Sequence, residues 1–265
     1  MPLTLAKSLK ARLRSDRPVF GAWVGIPHPT VIELMARSQF DFLLLDGEHS
    51  PIGVQDLASL LPSAELHGTP TIFRPRSKSA ADIKAALDAG VSGLMVPMIE
   101  TAEEARAIVA ASKYAPAGIR GIGPWRASGY YEGFETYLAE ANDATTLILQ
   151  LESAKGLANL DHILGVDGFD VLYVGPADLA SSLGLPIGRF DGEMRDVLQR
   201  TADAARRAGK LAAIDVSAVS AIPELIEMGY CLFTIGSDMG FIQASGRGLV
   251  RDLAALSTGQ AHDRS

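Results

Sequence analysis

Cysteine is nearly absent from this chain: Cys231 is the only one in 265 residues. A single thiol excludes an internal disulfide framework and a cysteine-based zinc site. Long apolar runs are missing as well, and no stretch approaches the roughly 18–20 residues of a membrane span. Positive charge is in deficit, with 24 basic against 31 acidic residues and a net charge of −7. That balance excludes a protein built mainly to neutralise nucleic-acid phosphates, although a few arginines can still line a local cationic pocket. Residues 1–20 carry Lys7, Lys10, Arg12, Arg14 and Arg17 but no apolar centre, so they do not read as a secretory signal. They read as a short amphipathic lead-in helix with Leu5, Leu9 and Leu13 on one face. A reducing, cytoplasmic setting without membrane or nucleic-acid partners is expected. No G-x-G-x-x-G opens a helix after the first strand, and there is no P-loop; Gly121-Ile122-Gly123 is an isolated fragment.

What is present is an apolar, patterned chain. With 48% hydrophobic and 21% charged residues it can bury a sizeable core. Short apolar runs alternate with helical stretches. Strands are predicted at Val19–Val24, Phe42–Asp46, Thr71–Arg74, Leu94–Pro97, Thr146–Leu151, Val171–Val174, Leu211–Asp215 and Leu232–Ile235. Helices are predicted at Thr30–Arg37, Ile52–His67, Ala80–Ala89, Ala102–Lys113, Lys155–Leu164, Gly192–Ala208, Ala221–Met228 and Phe241–Leu256, before a polar tail Ser257–Ser265. Between Tyr114 and Asn142 the alternation breaks into a Gly-rich, aromatic loop with a short helix near its end. Long loops in compact domains are commonly functional, and this one reads as a cover over an active site, its own or one shared with a neighbouring subunit. A Gly- and Pro-rich loop is also predicted after Val174. Eight βα units in about 250 residues match a closed (β/α)8 TIM barrel, here one domain spanning residues 1–265.

In such a barrel, functional groups sit where strands end. The predicted strands finish on Asp46-Gly47-Glu48-His49, Arg74, Gln150-Leu151-Glu152, Gly175-Pro176-Ala177-Asp178, Asp215 and Ser237-Asp238. Glu152 and Asp178, at the mouths of neighbouring strands, would repel if bare. A divalent cation resolves the conflict, and an all-oxygen donor set suits Mg2+ or Mn2+ better than zinc. Solvated loop acids or helix caps are the plain alternative. Arg74 suits the neutralisation of a developing negative charge, or equally a structural ion pair with Asp46 or Glu48. His49 directly follows a strongly predicted strand, and its imidazole suits proton transfer near neutral pH; a satisfied structural histidine is the competing reading. His28 is a weaker candidate.

The ordered set Asp46-Gly47-Glu48-His49, Arg74-Pro75, Leu87-Asp88-Ala89-Gly90, Val96-Pro97, Pro116 to Gly121, Gln150-Leu151-Glu152 and Gly175 to Leu179 resembles the HpcH/HpaI family of metal-dependent 2-oxo acid aldolases, over about residues 4–256. The resemblance implies a TIM barrel assembled as a hexamer, a trimer of dimers that exchange the last helix. It implies Mg2+, Mn2+ or Co2+ held by Glu152 and Asp178. It also implies reversible cleavage of a 4-hydroxy-2-oxo acid to pyruvate or hydroxypyruvate and an aldehyde. Arg74 is then expected at the keto oxygen, His49 in proton transfer paired with Asp88, and Gln150 beside the metal. The backbone near Pro176 and Ala177 is expected at the substrate carboxylate, and Trp23 and Asp215 in the substrate-binding set. None of the strand-end positions is a lysine, so no Schiff base is called for.

Two features depart from the family pattern. The segment Gly121–Gly133 is short and aromatic, and Asp215 stands where an apolar residue is usual. Both are expected to line the aldehyde side, with Asp215 disfavouring a carboxylated acceptor. A CoA-thioester lyase of the same superfamily and a non-catalytic metal–oxo-acid sensor are the competing readings; a sensor would need neither Arg74 nor His49.

Overall fold

In the computed structural model, which describes the backbone of residues 2–259 and side chains up to residue 256, eight parallel strands close into a barrel in sequence order. They are β1 (Val19–Val24), β2 (Phe42–Asp46), β3 (Thr71–Arg74), β4 (Gly93–Val96), β5 (Thr146–Leu151), β6 (Val171–Val174), β7 (Leu211–Val216) and β8 (Tyr230–Ser237). The first helices are α1 (Pro2–Leu13), α2 (Pro29–Arg37), α3 (Leu57–Leu66), α4 (Ala80–Ala89), α5 (Ala102–Ser112) and α6 (Phe134–Ala144). They are followed by α7 (Ala154–Ala158), α8 (Leu160–Leu164), α9 (Pro176–Leu183), α10 (Gly192–Arg207), α11 (Ile222–Met228) and α12 (Asp238–Gly259). This is the (β/α)8 architecture that the alternation predicts. No helix among the described residues is long and apolar enough to cross a membrane.

The differences from expectation have local causes. The stretch Ile52–His67 starts as a 3-10 turn at Val54–Asp56 before α3 begins. The predicted helix Lys155–Leu164 is two short helices joined at Asn159. The Gly- and Pro-rich segment after β6 is not a loop but α9. Gly175 precedes it, Pro176 begins it, and Gly184, at φ 71°, ends it. Here glycine and proline punctuate a helix, because proline costs nothing at a first helical position and glycine accepts the left-handed cap. The predicted tail Ser257–Ser265 is helical through Gly259, and residues 260–265 lie outside the described residues.

Strand parity sorts the side chains into two layers. One parity points inward: Val19, Phe42, Leu44, Ile72, Met95, Ile148, Val171, Tyr173, Ala213 and Leu232 form a single interior cluster. The other parity points at the helices: Leu43, Leu45, Phe73, Leu94, Val96, Leu149, Leu151, Val174 and Ile214 pack there with α-helical side chains. Space in the interior is tight. A Cβ on Gly21 would stand 2.2 Å from the Phe42 ring, so glycine there makes room for phenylalanine. Leu9 and Leu13 of α1 join the interior cluster and plug the end where the strands begin. Truncating Leu9, which is fully buried, costs about 2–5 kcal/mol.

Chain direction fixes what sits at each end. Strand-to-helix loops lie at the mouth, and helix-to-strand loops lie at the plugged end. The aromatic segment links α5 to β5 and therefore belongs to the plugged end, where Tyr137 and Ala127 cluster with Leu3 of α1. It does not cover the mouth of its own barrel, which corrects the expectation for a cover within one chain.

Candidate active site

The inward parity continues past the apolar layers into a polar rim. Trp23, Asp46, Arg74, Gln150, Asp215 and Thr234 are the inward positions at the mouth ends of β1, β2, β3, β5, β7 and β8. Strand register makes neighbours of two pairs: Asp46 with Arg74 and Asp215 with Thr234.

Arg74 is 7% exposed and is held in its own plane by carboxylates. Its Nε donates to Asp46 Oδ1 at 3.0 Å, and its Nη2 lies 3.0 Å from Asp46 Oδ2. Nη1 stands 3.2 Å from Glu48 Oε2, an ion pair without hydrogen-bond geometry. The ring of Trp23 covers a guanidinium face, with Cζ 4.4 Å from the ring centroid. The ion-pair reading of Arg74 is thus realised, and it is compatible with a role at the mouth, because two acids fix where the cation points. Asp46 Oδ1 also accepts the backbone N–H groups of Glu48 and His49 at 3.0 and 3.2 Å, so one carboxylate shapes the whole loop after β2.

Glu152, just beyond β5, is 3% exposed and touches no cationic side chain at ion-pair distance. Its Oε1 accepts the Met98 N–H at 2.6 Å and its Oε2 accepts Gln150 Nε2 at 2.5 Å. Burial pushes its pKa up to about 7; the Met98 N–H and Arg74 oppose the rise, while the negative charges of Glu48 and Asp178 add to it. Gln150 Oε1 is buried with no hydrogen-bond partner. Gly175 makes this cradle possible: a Cβ there would lie 2.7 Å from Glu152 Oε2 and 3.0 Å from Gln150 Nε2. Met98 carries a positive φ of 54°, a conformation that costs a non-glycine residue about 1–2 kcal/mol. The strain aims its N–H at Glu152.

Asp178 is exposed in the first turn of α9, after Pro176 and Ala177. The backbone N–H groups of Ala177 and Asp178 belong to the helix's first turn and have no intrahelical acceptor, so they offer a binding place for an anion. His49 is two-thirds exposed at the rim, with Nε2 3.7 Å from Glu48 Oε2. Burial raises the Glu48 pKa, while Arg74 and His49 pull it down.

One expected placement differs. Asp88 is not beside His49 in one chain. It lies at the C-terminal end of α4, at the plugged end, where its Oδ1 accepts from Arg120 Nη2 at 2.6 Å. Burial raises its pKa against the pull of that arginine. Asp215 turns its Oδ1 toward Trp23 and Thr234, at 2.8 and 2.6 Å; burial raises its pKa, and both hydrogen bonds oppose the rise. Sequence reasoning missed Met98 altogether, named the Asp46 pair of Arg74 only as an alternative, and placed Asp238 at a strand end without a role. The last is 2% exposed and accepts the Gly25 and Ile26 N–H groups at 2.9–3.1 Å, tying the start of α12 to the loop after β1. The inward parity was the available signal for Asp46; none existed for a left-handed methionine.

Among the described residues no three His, Cys, Asp or Glu side chains converge as a ready metal cage. A cation at Glu152 and Asp178 would therefore take most of its shell from water and substrate, which is how Mg2+ is commonly held.

Comparison with known proteins agrees with this geometry. The model of the HpcH/HpaI aldolase/citrate lyase family matches residues 19–243. A 2-keto-3-deoxy-L-rhamnonate aldolase from Escherichia coli is 36% identical over 239 residues, 90% of each chain. A 4-hydroxy-2-oxo-heptane-1,7-dioate aldolase from Shigella sonnei is 32% identical over 255 residues, covering 96% of this chain and 97% of that one. Among solved structures, an HpcH/HpaI aldolase/citrate lyase family protein from Burkholderia cenocepacia superposes with a TM-score of 0.86 at 32% identity, over 94% of this chain and 99% of that one. With its barrel, its rim and this likeness over nearly its whole length, the chain belongs to the HpcH/HpaI aldolase/citrate lyase family.

Proposed function

We propose that the protein is a divalent-metal-dependent aldolase that reversibly cleaves a 4-hydroxy-2-oxo acid into pyruvate or hydroxypyruvate and an aldehyde. One observation carries the reading: Glu152 is a buried carboxylate met only by neutral donors, close enough to Glu48 and Asp178 to feel their negative charges. A dry carboxylate in that company calls for a cation. The orphaned Gln150 oxygen and the space left by Gly175 fit the same demand. Glu152 and Asp178 would hold the ion, with Mg2+, Mn2+ and Co2+ as candidates. The names of both relatives describe 2-oxo acids as substrates, which supports the substrate class.

When bound, the cation supplies Lewis-acid charge to the oxygens of the oxo acid. The chain's own groups do the rest. The first-turn N–H groups of Ala177 and Asp178 receive the substrate carboxylate. Arg74, fixed by Asp46 and Trp23, presents a guanidinium where negative charge gathers as the C3–C4 electron pair moves toward the C2 carbonyl. His49, at the rim, takes the proton of the C4 hydroxyl as that carbon leaves as the aldehyde. Return of a proton to C3 completes pyruvate.

The test is solvent exchange of the pyruvate methyl protons. Exchange should require a divalent ion and disappear in Arg74→Met. Undiminished exchange after exhaustive chelation removes the proposal. A panel of aldehydes with pyruvate and hydroxypyruvate as donors then defines the substrate, and a CoA-thioester control separates the competing lyase reading.

We further propose assembly as a hexamer, a trimer of dimers, in a cytoplasmic setting. Phe241, Ile242, Leu249, Val250 and Leu256 of α12 are between 42% and 68% exposed, an apolar face that a second copy would cover.

A further inference from the structure

Four side chains on four strands form a closed clamp beside Arg74. The indole N–H of Trp23 donates to Asp215 Oδ1 at 2.8 Å. The Thr234 hydroxyl donates to the same oxygen at 2.6 Å. Because its one proton is used there, Thr234 accepts from Tyr173, whose hydroxyl stands 2.5 Å from Oγ1. Tyr173 in turn meets Trp23 edge-to-face, with ring centroids 6.5 Å apart. Tyr173 and Thr234 are fully buried, so the clamp is rooted in the barrel interior.

The free face of this clamp is the Trp23 ring, and Arg74 lies on it with Cζ 4.4 Å from the centroid. The contacts on the guanidinium are complementary. Asp46 accepts from its Nε and pairs with Nη2, and Glu48 stands 3.2 Å from Nη1 as a further ion pair. The indole restrains it on one face. An indole has two side-chain torsions, and the bond to Asp215 removes the freedom of both. A negatively charged acceptor on the indole N–H also polarises the ring, and an electron-richer face attracts a cation more strongly.

We propose that Asp215 is a positioning residue for Arg74, acting through Trp23, and that it does not select the aldehyde. This inference rests on the reading of Arg74 as the cation that meets the developing charge. It differs from the expectation that Asp215 lines the acceptor side, because its Oδ1 is engaged by two protein donors.

The experiment compares Asp215→Leu, Asp215→Asn, Trp23→Phe and the Asp215→Leu/Trp23→Phe double variant in Mn2+-supported methyl exchange, together with relative rates on acidic and neutral aldehydes. A displaced cation of this kind loses on the order of tenfold in kcat, below the roughly hundredfold of an ångström-scale misplacement of the reacting groups. Asp215→Leu is expected to lose that much, with pyruvate KM unchanged within about twofold. Asp215→Asn, whose amide oxygen still accepts both donors, should retain about half the rate or more. Trp23→Phe, which keeps a ring but loses the N–H, should fall as far as Asp215→Leu, and the double variant no further. The aldehyde order should stay fixed throughout. Parental kcat in Asp215→Leu, additive losses in the double variant, or a reordered aldehyde preference would each overturn the inference. If Asp215→Leu does not fold, parental kcat in Trp23→Phe does the same. Arg74→Met is run alongside: full exchange in that variant removes the role of Arg74 itself, an outcome distinct from the others.

Discussion

Replacing Asp46 by asparagine tests how the mouth of the barrel is built. The amide keeps Oδ1, so Arg74 Nε and the N–H groups of Glu48 and His49 retain their acceptor. It loses the negative charge and places a nitrogen donor 3.0 Å from Arg74 Nη2. One charge-assisted hydrogen bond is worth about 1.5–3 kcal/mol, and breaking a buried pair outright costs about 3–5 kcal/mol. Glu48 still faces Nη1 at 3.2 Å, which favours the lower range. The expected loss is about 2 kcal/mol, and for a chain of this size that lowers Tm by about 4–8 °C. Thermal unfolding followed by circular dichroism, without added divalent ion, measures it. The double variant Asp46→Asn/Arg74→Met discriminates the cause. If the penalty comes from a stranded guanidinium, removing the arginine recovers part of the lost Tm. An unchanged Tm in the single variant, or strictly additive losses in the double, refutes the electrostatic account.

Other outcomes are equally specific. Glu152→Gln should lower affinity for Mn2+ by more than about 100-fold while leaving the fold intact, read by metal titration calorimetry and circular dichroism. Gly175→Ala pushes a methyl group against Glu152 Oε2, at 2.7 Å before any relaxation, so metal affinity should fall about 10–100-fold without a matching loss of Tm. Asp215 has a folded-state pKa raised by burial, so its contribution to stability is greatest below its ordinary pKa and is lost as pH rises through the raised one. Asp215→Asn should therefore raise Tm at pH 8, and the gain should vanish at acidic pH; a gain independent of pH contradicts the assignment. Leu249→Glu, on the exposed face of α12, should shift the protein to smaller species in analytical ultracentrifugation.

Much of the barrel was legible because parallel strands are buried on both sides and so appear as unbroken apolar runs. Phe42–Asp46, Thr71–Arg74, Thr146–Leu151 and Val171–Val174 have the same bounds in the sequence reading and in the structure. The strand-end rule also located Arg74, Gln150, Glu152 and Asp215, because inward parity carries on from the packed layers into the rim. Three things were not read. Gly175, Pro176 and Gly184 signal a loop by composition, yet they cap α9, and only the packing of Leu179 beneath it reveals the helix. The aromatic segment before α6 looked like a cover because its length and composition outweighed its place between a helix and the next strand, which puts it at the plugged end. Asp88 carried a family role that its own chain cannot complete, since α4 ends at the plugged end and Arg120 takes the carboxylate.

The alternation that fills the barrel also dictates which changes this molecule can tolerate. Gln150 and Glu152 reach the mouth only because Ile148, two and four residues earlier, points inward. An insertion of one residue in β5 would turn both toward the helical shell and offer Leu151 in their place. Segments beyond the strand ends face no such constraint. Lengthening or shortening them alters what surrounds the reacting carbon while the closed sheet keeps the proton-handling and charge-bearing groups where they are. In this lineage, new substrates should arise by remodelling connections, with the staves of the barrel left alone.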